Sequence, residues 1–214
     1  MFWQAFLIVF NFLCNRAFNE TMKNEYDFST DLRRCLGALA GGGLILYPTD
    51  TVWGIGCDAT NAQAVQKIYD LKKRSETKAM IILVASANDV FKYVTQPSPS
   101  IMEFLKKVER PTTVVYDCAV GIADNLLGPD GTIAIRVVSE IFCIQLIKQF
   151  GRPIVSTSAN TAGSAAPGNF AEVPAYIKEG VDFVVNYRRE EEGRRLPSRV
   201  VRLLKDGNLE VLRP

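Results

Sequence analysis

The chain has 214 residues, 48% of them hydrophobic and 22% charged, enough for the sizeable core of one large or two small domains; a disordered, fibrous or tail-like chain is excluded. It contains no histidine, which removes Ser-His-Asp and Cys-His relays and any His-ligated metal site. A formal charge of only +2 means that a polyanion must be met by a local cluster of Lys and Arg, not by the field of the whole molecule.

The chain opens on an apolar run, MFWQAFLIVFNFLCNRAF, shorter than the roughly 20 residues that span a bilayer and without Lys or Arg ahead of it. Residues 1–21 are therefore read as an apolar leader from a mis-called start, with the domain proper at 22–214 beginning at Met22; a membrane-surface anchor is the alternative. From there a polar stretch leads into a helix capped near Ser29, Thr30 or Asp31. The five cysteines are widely spaced, odd in number and without a C-x-x-C pair, which fits buried thiols in a reducing, cytoplasmic setting.

Apolar, β-branched runs then alternate with helical patterns, the signature of an α/β layer fold. Strands are predicted at Leu44 to Tyr47, Met80 to Ala85, Thr113 to Tyr116, Thr132 to Val138, Ile154 to Thr157, Val181 to Asn186, Val200 to Leu204 and Leu209 to Leu212. Between Thr60 and Arg74 the residues Val65, Ile68, Tyr69 and Leu71 recur at helical steps behind a Thr60 or Asn61 cap. Further helices are predicted from Ser139 to Phe150 and from Ala171 to Glu179, with Gln96 to Ser100 as a Pro-Ser break.

Several segments carry chemistry. Pro48-Thr49-Asp50-Thr51, directly after a strand, reads either as a turn or as a ligand loop. The following Gly54-Ile55-Gly56-Cys57-Asp58-Ala59 matches a dinucleotide fingerprint in letters, but its helix starts only after the pattern ends, so it is set aside. No Walker A loop occurs. Lys72, Arg74 and Lys78 surround a helix C-terminus, where cations favour the dipole and also suit phosphates or carboxylates. Ser156-Thr157-Ser158-Ala159-Asn160 runs from a strand into a hydroxyl-rich loop, either a Ser/Asn turn or an anion cradle. Arg136 sits inside the apolar strand IAIRVV, where a guanidinium either snorkels or holds a carboxylate. The run RREEEGRR at 188–195 reads as a solvated loop or as a flap near a charged ligand.

Taken in order, PTDTVWGIGCDATNAQAVQKIYDLKKRSETKAMIILV, IAIRV, PIVSTSAN, PSRVVRL and VLRP resemble the YrdC family of threonylcarbamoyl-AMP synthases, from about Leu44 to the C-terminus. The resemblance implies a twisted mixed α/β sheet with flanking helices around a large basic cavity. It also implies an enzyme, a nucleotidyltransferase, that joins L-threonine, bicarbonate and ATP into threonylcarbamoyl-AMP and pyrophosphate, with Mg²⁺ on the phosphates and no all-protein metal cage. The product feeds threonylcarbamoyladenosine formation on tRNA, through separate transferase partners in short, single-domain relatives such as this chain. By the same resemblance Lys72, Arg74, Ser158 and Asn160 mark the catalytic nucleotide and carbamate region. Thr49 or Thr51, with Arg136, marks the threonine side, Ser156 and Ser198 are hydroxyl neighbours, Lys78 binds substrate, and Arg213 matches a terminal Arg near the nucleotide. The family's Lys-Gly-Arg-Pro is here Lys72-Lys73-Arg74-Ser75, its Lys-Pro-Leu is Lys78-Ala79-Met80, and its Ser-Thr is Ser198-Arg199. From a different class, a non-catalytic module holding tRNA or double-stranded RNA along a basic groove is the competing reading.

Overall fold

The computed structural model describes residues 26–73, 80–95, 99–128, 130–204 and 209–214. The leader at 1–21, Met22, Arg74 and Lys78 lie outside the described residues.

Nine strands form one twisted mixed sheet in the order β7-β1-β2-β6-β3-β5-β4-β8-β9. They are β1 (Ile45–Tyr47), β2 (Gly54–Gly56), β3 (Ile81–Val84), β4 (Thr112–Tyr116), β5 (Ile133–Val137), β6 (Ile154–Ser158), β7 (Phe183–Val184), β8 (Arg199–Leu203) and β9 (Leu209–Arg213). Parallel pairs β1/β7, β3/β5 and β4/β8 are interspersed among antiparallel ones such as β2/β6, β3/β6 and β4/β5. The helices are α1 (Ser29–Ala40), α2 (Ala62–Lys72), α3 (Pro99–Lys107), α4 (Ile141–Phe150) and α5 (Ala175–Glu179).

Most strands read as continuous apolar runs because the sheet is covered on both faces. Side chains alternate between two cores. Ile45, Tyr47, Leu83 and Ile154 join Leu32, Cys35 and Leu39 of α1 and Phe142, Cys143 and Leu146 of α4. Leu46, Ile55, Ile82, Ile135 and Val155 turn the other way, onto Val65, Ile68 and Tyr69 of α2.

Local expectations fail where distant contacts take over. Helix α1 begins behind Phe28 with no side-chain cap. Asp31 is instead buried, accepting bonds from the Asn186 and Tyr187 amides at 3.0 Å each. Helix α5 covers only Ala175–Glu179, since Pro174 ahead of it disfavours earlier helical turns. Strand β2, the Gly-Ile-Gly segment for which the sequence predicts no strand, lies inside the sheet. A Cβ on Gly56 would stand 2.7 Å from both the Tyr47 ring and the Val155 carbonyl, so only glycine lets these strands approach. Helix α2 is capped as predicted, the Asn61 side chain accepting from the Gln63 and Ala64 amides.

Candidate active site

Strand register assembles the site. One cross-strand row runs Leu83, Arg136, Thr113, Val200, Arg213 through β3, β5, β4, β8 and β9. Arg136 and Arg213 therefore share a sheet face three strands apart, about 14 Å on a flat sheet. The neighbouring row is Ser156, Ile81, Ala134, Val115. Gly54 pairs with Ser158 beyond it. Where α1 and α4 stop covering this face, a cavity of about 460 Å³ opens, lined among others by Thr51, Arg136, Ser156, Ser158, Asn160, Ser198 and Arg213. A shallower groove of about 830 Å³ between the start of α1 and α4 is larger but gathers no such set of convergent donors.

At one end of the cavity Arg136 is 3% exposed. Its Nη1 donates to Thr51 Oγ1 at 2.8 Å and its Nη2 to Thr49 Oγ1 at 3.4 Å. Thr49 Oγ1 donates to the Val52 carbonyl at 2.9 Å, which leaves the Thr51 hydroxyl to donate to Thr49 Oγ1 at 2.9 Å. Asp50 Oδ1 lies 3.3 Å from Arg136 Nη2, close enough to balance charge but not aligned for a hydrogen bond, and Arg136 Nε has no hydrogen-bond partner. Arg136 thus holds a carboxylate, the second of the two roles the sequence left open.

At the other end Arg213 donates from Nε and Nη2 to the Ser198 carbonyl at 3.1 and 2.9 Å. Ser198 Oγ is 2.8 Å from Thr113 Oγ1. Burial and the neighbouring Arg136 charge hold the Arg213 guanidinium below its ordinary pKa. Two guanidiniums that repel across a hollow favour an anion between them.

The hydroxyl-rich wall is the end of β6. Ser158 Oγ donates to Asn160 Oδ1 at 2.5 Å, and Asn160 Nδ2 donates to the Ser164 carbonyl at 2.5 Å. Lys72 is not on the cavity wall. It is 1% exposed, with its ammonium beneath this turn, donating to the Ser158 carbonyl, to the Asn160 carbonyl at 2.6 Å and to Asn160 Oδ1 at 3.2 Å. The helix end that carries it closes on Lys73 at φ 50°, a left-handed position that favours glycine.

Thr49, Thr51, Arg136, Ser156, Ser158, Asn160, Ser198 and Arg213 are thus brought together, and Lys72 supports them from behind. Sequence reasoning missed Arg188, whose guanidinium is buried against Glu140 and the Thr49 carbonyl. Its partners lie 48 and 139 residues away, so no local pattern announces it. Among the described residues the cavity lining offers hydroxyls, an amide and guanidiniums but no carboxylate, a set that does not fit a resident divalent cation. Among the described residues no helix is long and apolar enough to cross a membrane.

Known proteins supply the family. A threonylcarbamoyl-AMP synthase of Saccharophagus degradans is 34% identical over 189 residues, covering 86% of this chain and 96% of its own. The structure of P. abyssi Sua5 complexed with L-threonine superposes with a TM-score of 0.73 at 24% identity, over 86% of this chain and 53% of that one, so this chain spans about half the length of that protein. E. coli YciO gives a TM-score of 0.72 at 22% identity, over 85% of this chain and 87% of its own. The family model described as "Telomere recombination", Sua5/YciO/YrdC, matches residues 37–214. With a twisted mixed sheet of that fold and a match over most of its length, the chain belongs to the Sua5/YciO/YrdC family.

Proposed function

We propose that this protein is an L-threonylcarbamoyladenylate synthase, condensing L-threonine, bicarbonate and ATP to threonylcarbamoyl-AMP and pyrophosphate. The observation that carries the reading is one hollow in which chain segments around residues 51, 136, 156–160, 198 and 213 converge with guanidiniums and hydroxyls. All three substrates bring negative charge, and each needs fixed donors more than it needs a base. Curated relatives named threonylcarbamoyl-AMP synthase, and the L-threonine held by the P. abyssi protein, support the choice of substrates.

Arg136, oriented by Thr49 and Thr51, is assigned to the threonine carboxylate; an Arg fork suits that geometry. Ser158 and Asn160 are assigned to the carbamate and α-phosphate, with Ser156 and Ser198 as neighbouring donors and Arg213 toward the nucleotide. Arg74 and Lys78 are assigned to the phosphates on the resemblance alone. Lys72 takes part by fixing the Ser158–Asn160 turn.

The threonine amine attacks the bicarbonate carbon, a C–N bond forms and water leaves, giving a carbamate. A carbamate oxygen then attacks the α-phosphorus as the bond to pyrophosphate breaks. The ammonium of threonine first gives one proton to solvent, and the neutral amine's second proton leaves with the departing hydroxide as water, so no imidazole is required, and positioning with charge stabilisation supplies the acceleration. Mg²⁺ arrives on the ATP phosphates as part of that substrate. The adenylate would pass to a separate transferase that modifies tRNA.

Incubation with ATP, L-threonine, bicarbonate and Mg²⁺ tests the proposal. Pyrophosphate release is expected only with all three substrates present, with Arg136→Met raising the threonine KM by about tenfold or more. Release indifferent to threonine, together with salt-sensitive RNA binding, overturns the synthase in favour of an RNA module.

A further inference from the structure

The charged run at 188–195 begins with a residue that is not solvated at all. The Arg188 side chain is 6% exposed, and its backbone sits at φ 65°, a left-handed conformation unfavourable for a residue with a Cβ. Its guanidinium meets three separate segments. Nη1 donates to Glu140 Oε2 at 2.6 Å and to the Thr49 carbonyl at 3.0 Å, and Nε donates to Glu191 Oε1 at 2.7 Å. Burial opposes the charge on Arg188, and its two carboxylate partners more than restore it.

The contact with Thr49 links this cluster to the cavity. The Thr49 hydroxyl accepts the Thr51 amide at 3.0 Å and the Thr51 hydroxyl at 2.9 Å, and Thr51 Oγ1 receives Arg136 Nη1. On the opposite side of the same loop Asp50 Oδ2 accepts from the Ser139 amide and hydroxyl, one residue before Glu140. The 48–51 loop is therefore tied twice to the turn between β5 and α4, once through Asp50 and once through Arg188 and Glu140.

We propose that Arg188 is a positioning residue for the Arg136 end of the cavity: by holding the Thr49 carbonyl against Glu140 it fixes the Thr49–Thr51 turn and hence the direction in which Arg136 faces a bound carboxylate. The inference deepens the threonine assignment above and rests on it for its kinetic readout. The adjacent Arg189 supplies the contrast, since its guanidinium turns the other way and donates to the Val184 and Val185 carbonyls at 2.5 and 2.7 Å.

The test compares Arg188→Met/Glu140→Gln, which deletes both buried charges together, with Arg188→Lys and with Arg189→Met. Amide exchange at Thr51 is measured without substrate, and steady-state kinetics with ATP, L-threonine and bicarbonate. The double variant is expected to exchange Thr51 faster and to raise the threonine KM roughly tenfold while kcat and the ATP KM move less than about twofold. Arg188→Lys, which keeps the charge but not the fork, is expected to fall between it and the native protein. Arg189→Met is expected to lower the melting temperature and leave the threonine KM in place. An unchanged Thr51 amide in folded double variant or, should that fail to fold, in Arg188→Lys overturns the proposal, as does an equal KM shift in Arg189→Met. A loosened Thr51 amide in a protein that shows no threonine dependence overturns the threonine assignment and leaves the positioning role standing.

Discussion

Lys72→Met isolates what the buried ammonium does. Methionine keeps the length and apolar stem of the side chain, so the packing of α2 survives while the charge is deleted. The loss includes the charge-assisted bonds to the Ser158 and Asn160 carbonyls and to Asn160 Oδ1. Bonds to charged groups net about 1.5–3 kcal/mol each, and a buried acceptor left without its donor costs about 1–3 kcal/mol. Relief of the ammonium's own desolvation, several kcal/mol, offsets part of this. The balance is a destabilisation of about 2–4 kcal/mol. In a chain of this size each kcal/mol moves the melting temperature by about 2–4 °C, which places the loss near 5–15 °C. Thermal unfolding followed by circular dichroism reads the shift, and amide exchange at Asn160, whose N–H bonds the Ser158 carbonyl at 2.9 Å, reads the loosened turn. A solvated surface cation would contribute under about 1 kcal/mol. A melting temperature within about 2 °C of the native value, with Asn160 exchange unchanged, refutes the buried anchoring role.

Lys73→Gly relieves the left-handed backbone at the end of α2 and is expected to raise the melting temperature by about 2–4 °C; a decrease contradicts that backbone assignment. Gly56→Ala forces a Cβ to within 2.7 Å of the Val155 carbonyl, and thermal unfolding should show a loss of about 2 kcal/mol or more. In a Cys14→Ser background, alkylation at pH 8 should label exposed Cys118 first, because Cys35, Cys57 and Cys143 are buried and burial pushes their thiols well above the ordinary range. Glu191 is held below the usual carboxylate range, first by its bond from Arg188; burial opposes this as the next largest effect, and the charge of Arg188 and the weaker pull of Arg195 add to the lowering. Its stabilising contribution is therefore full above the unfolded carboxylate pKa of about 4.3 and is lost as pH falls through the lowered value, which exchange protection across 188–195 should follow.

What the sequence revealed is what local pattern carries. The strands of the central sheet were legible because both faces are covered and their residues run apolar, and α2 because its stripe and Asn61 cap agree. Strand β2 was not, since glycine argues against a strand until the approach of Tyr47 and Val155 is seen. Helix α3 starts at Pro99, inside what read as a break, and proline is well suited to a first helical position. In the site, the register that sets Arg136 opposite Thr113, and Val200 opposite Arg213, turned separate motifs into one wall. Lys72 was legible as a cation at a helix C-terminus, but its acceptors, 86 and 88 residues away, lie beyond any local pattern. The pair Arg188 and Glu140 was hidden in the same way within a run of charges that on composition alone belongs to solvent.

The most direct test of the account follows the carbon. Incubation of the protein with ATP, L-threonine, Mg²⁺ and ¹³C-bicarbonate, analysed at once by mass spectrometry, should yield an adenylate that contains threonine and carries the label, with unlabelled product when ordinary bicarbonate is used. An AMP-containing product that lacks the labelled carbon, or no threonine-linked adenylate at all from folded protein, contradicts the claim that this cavity joins the three substrates.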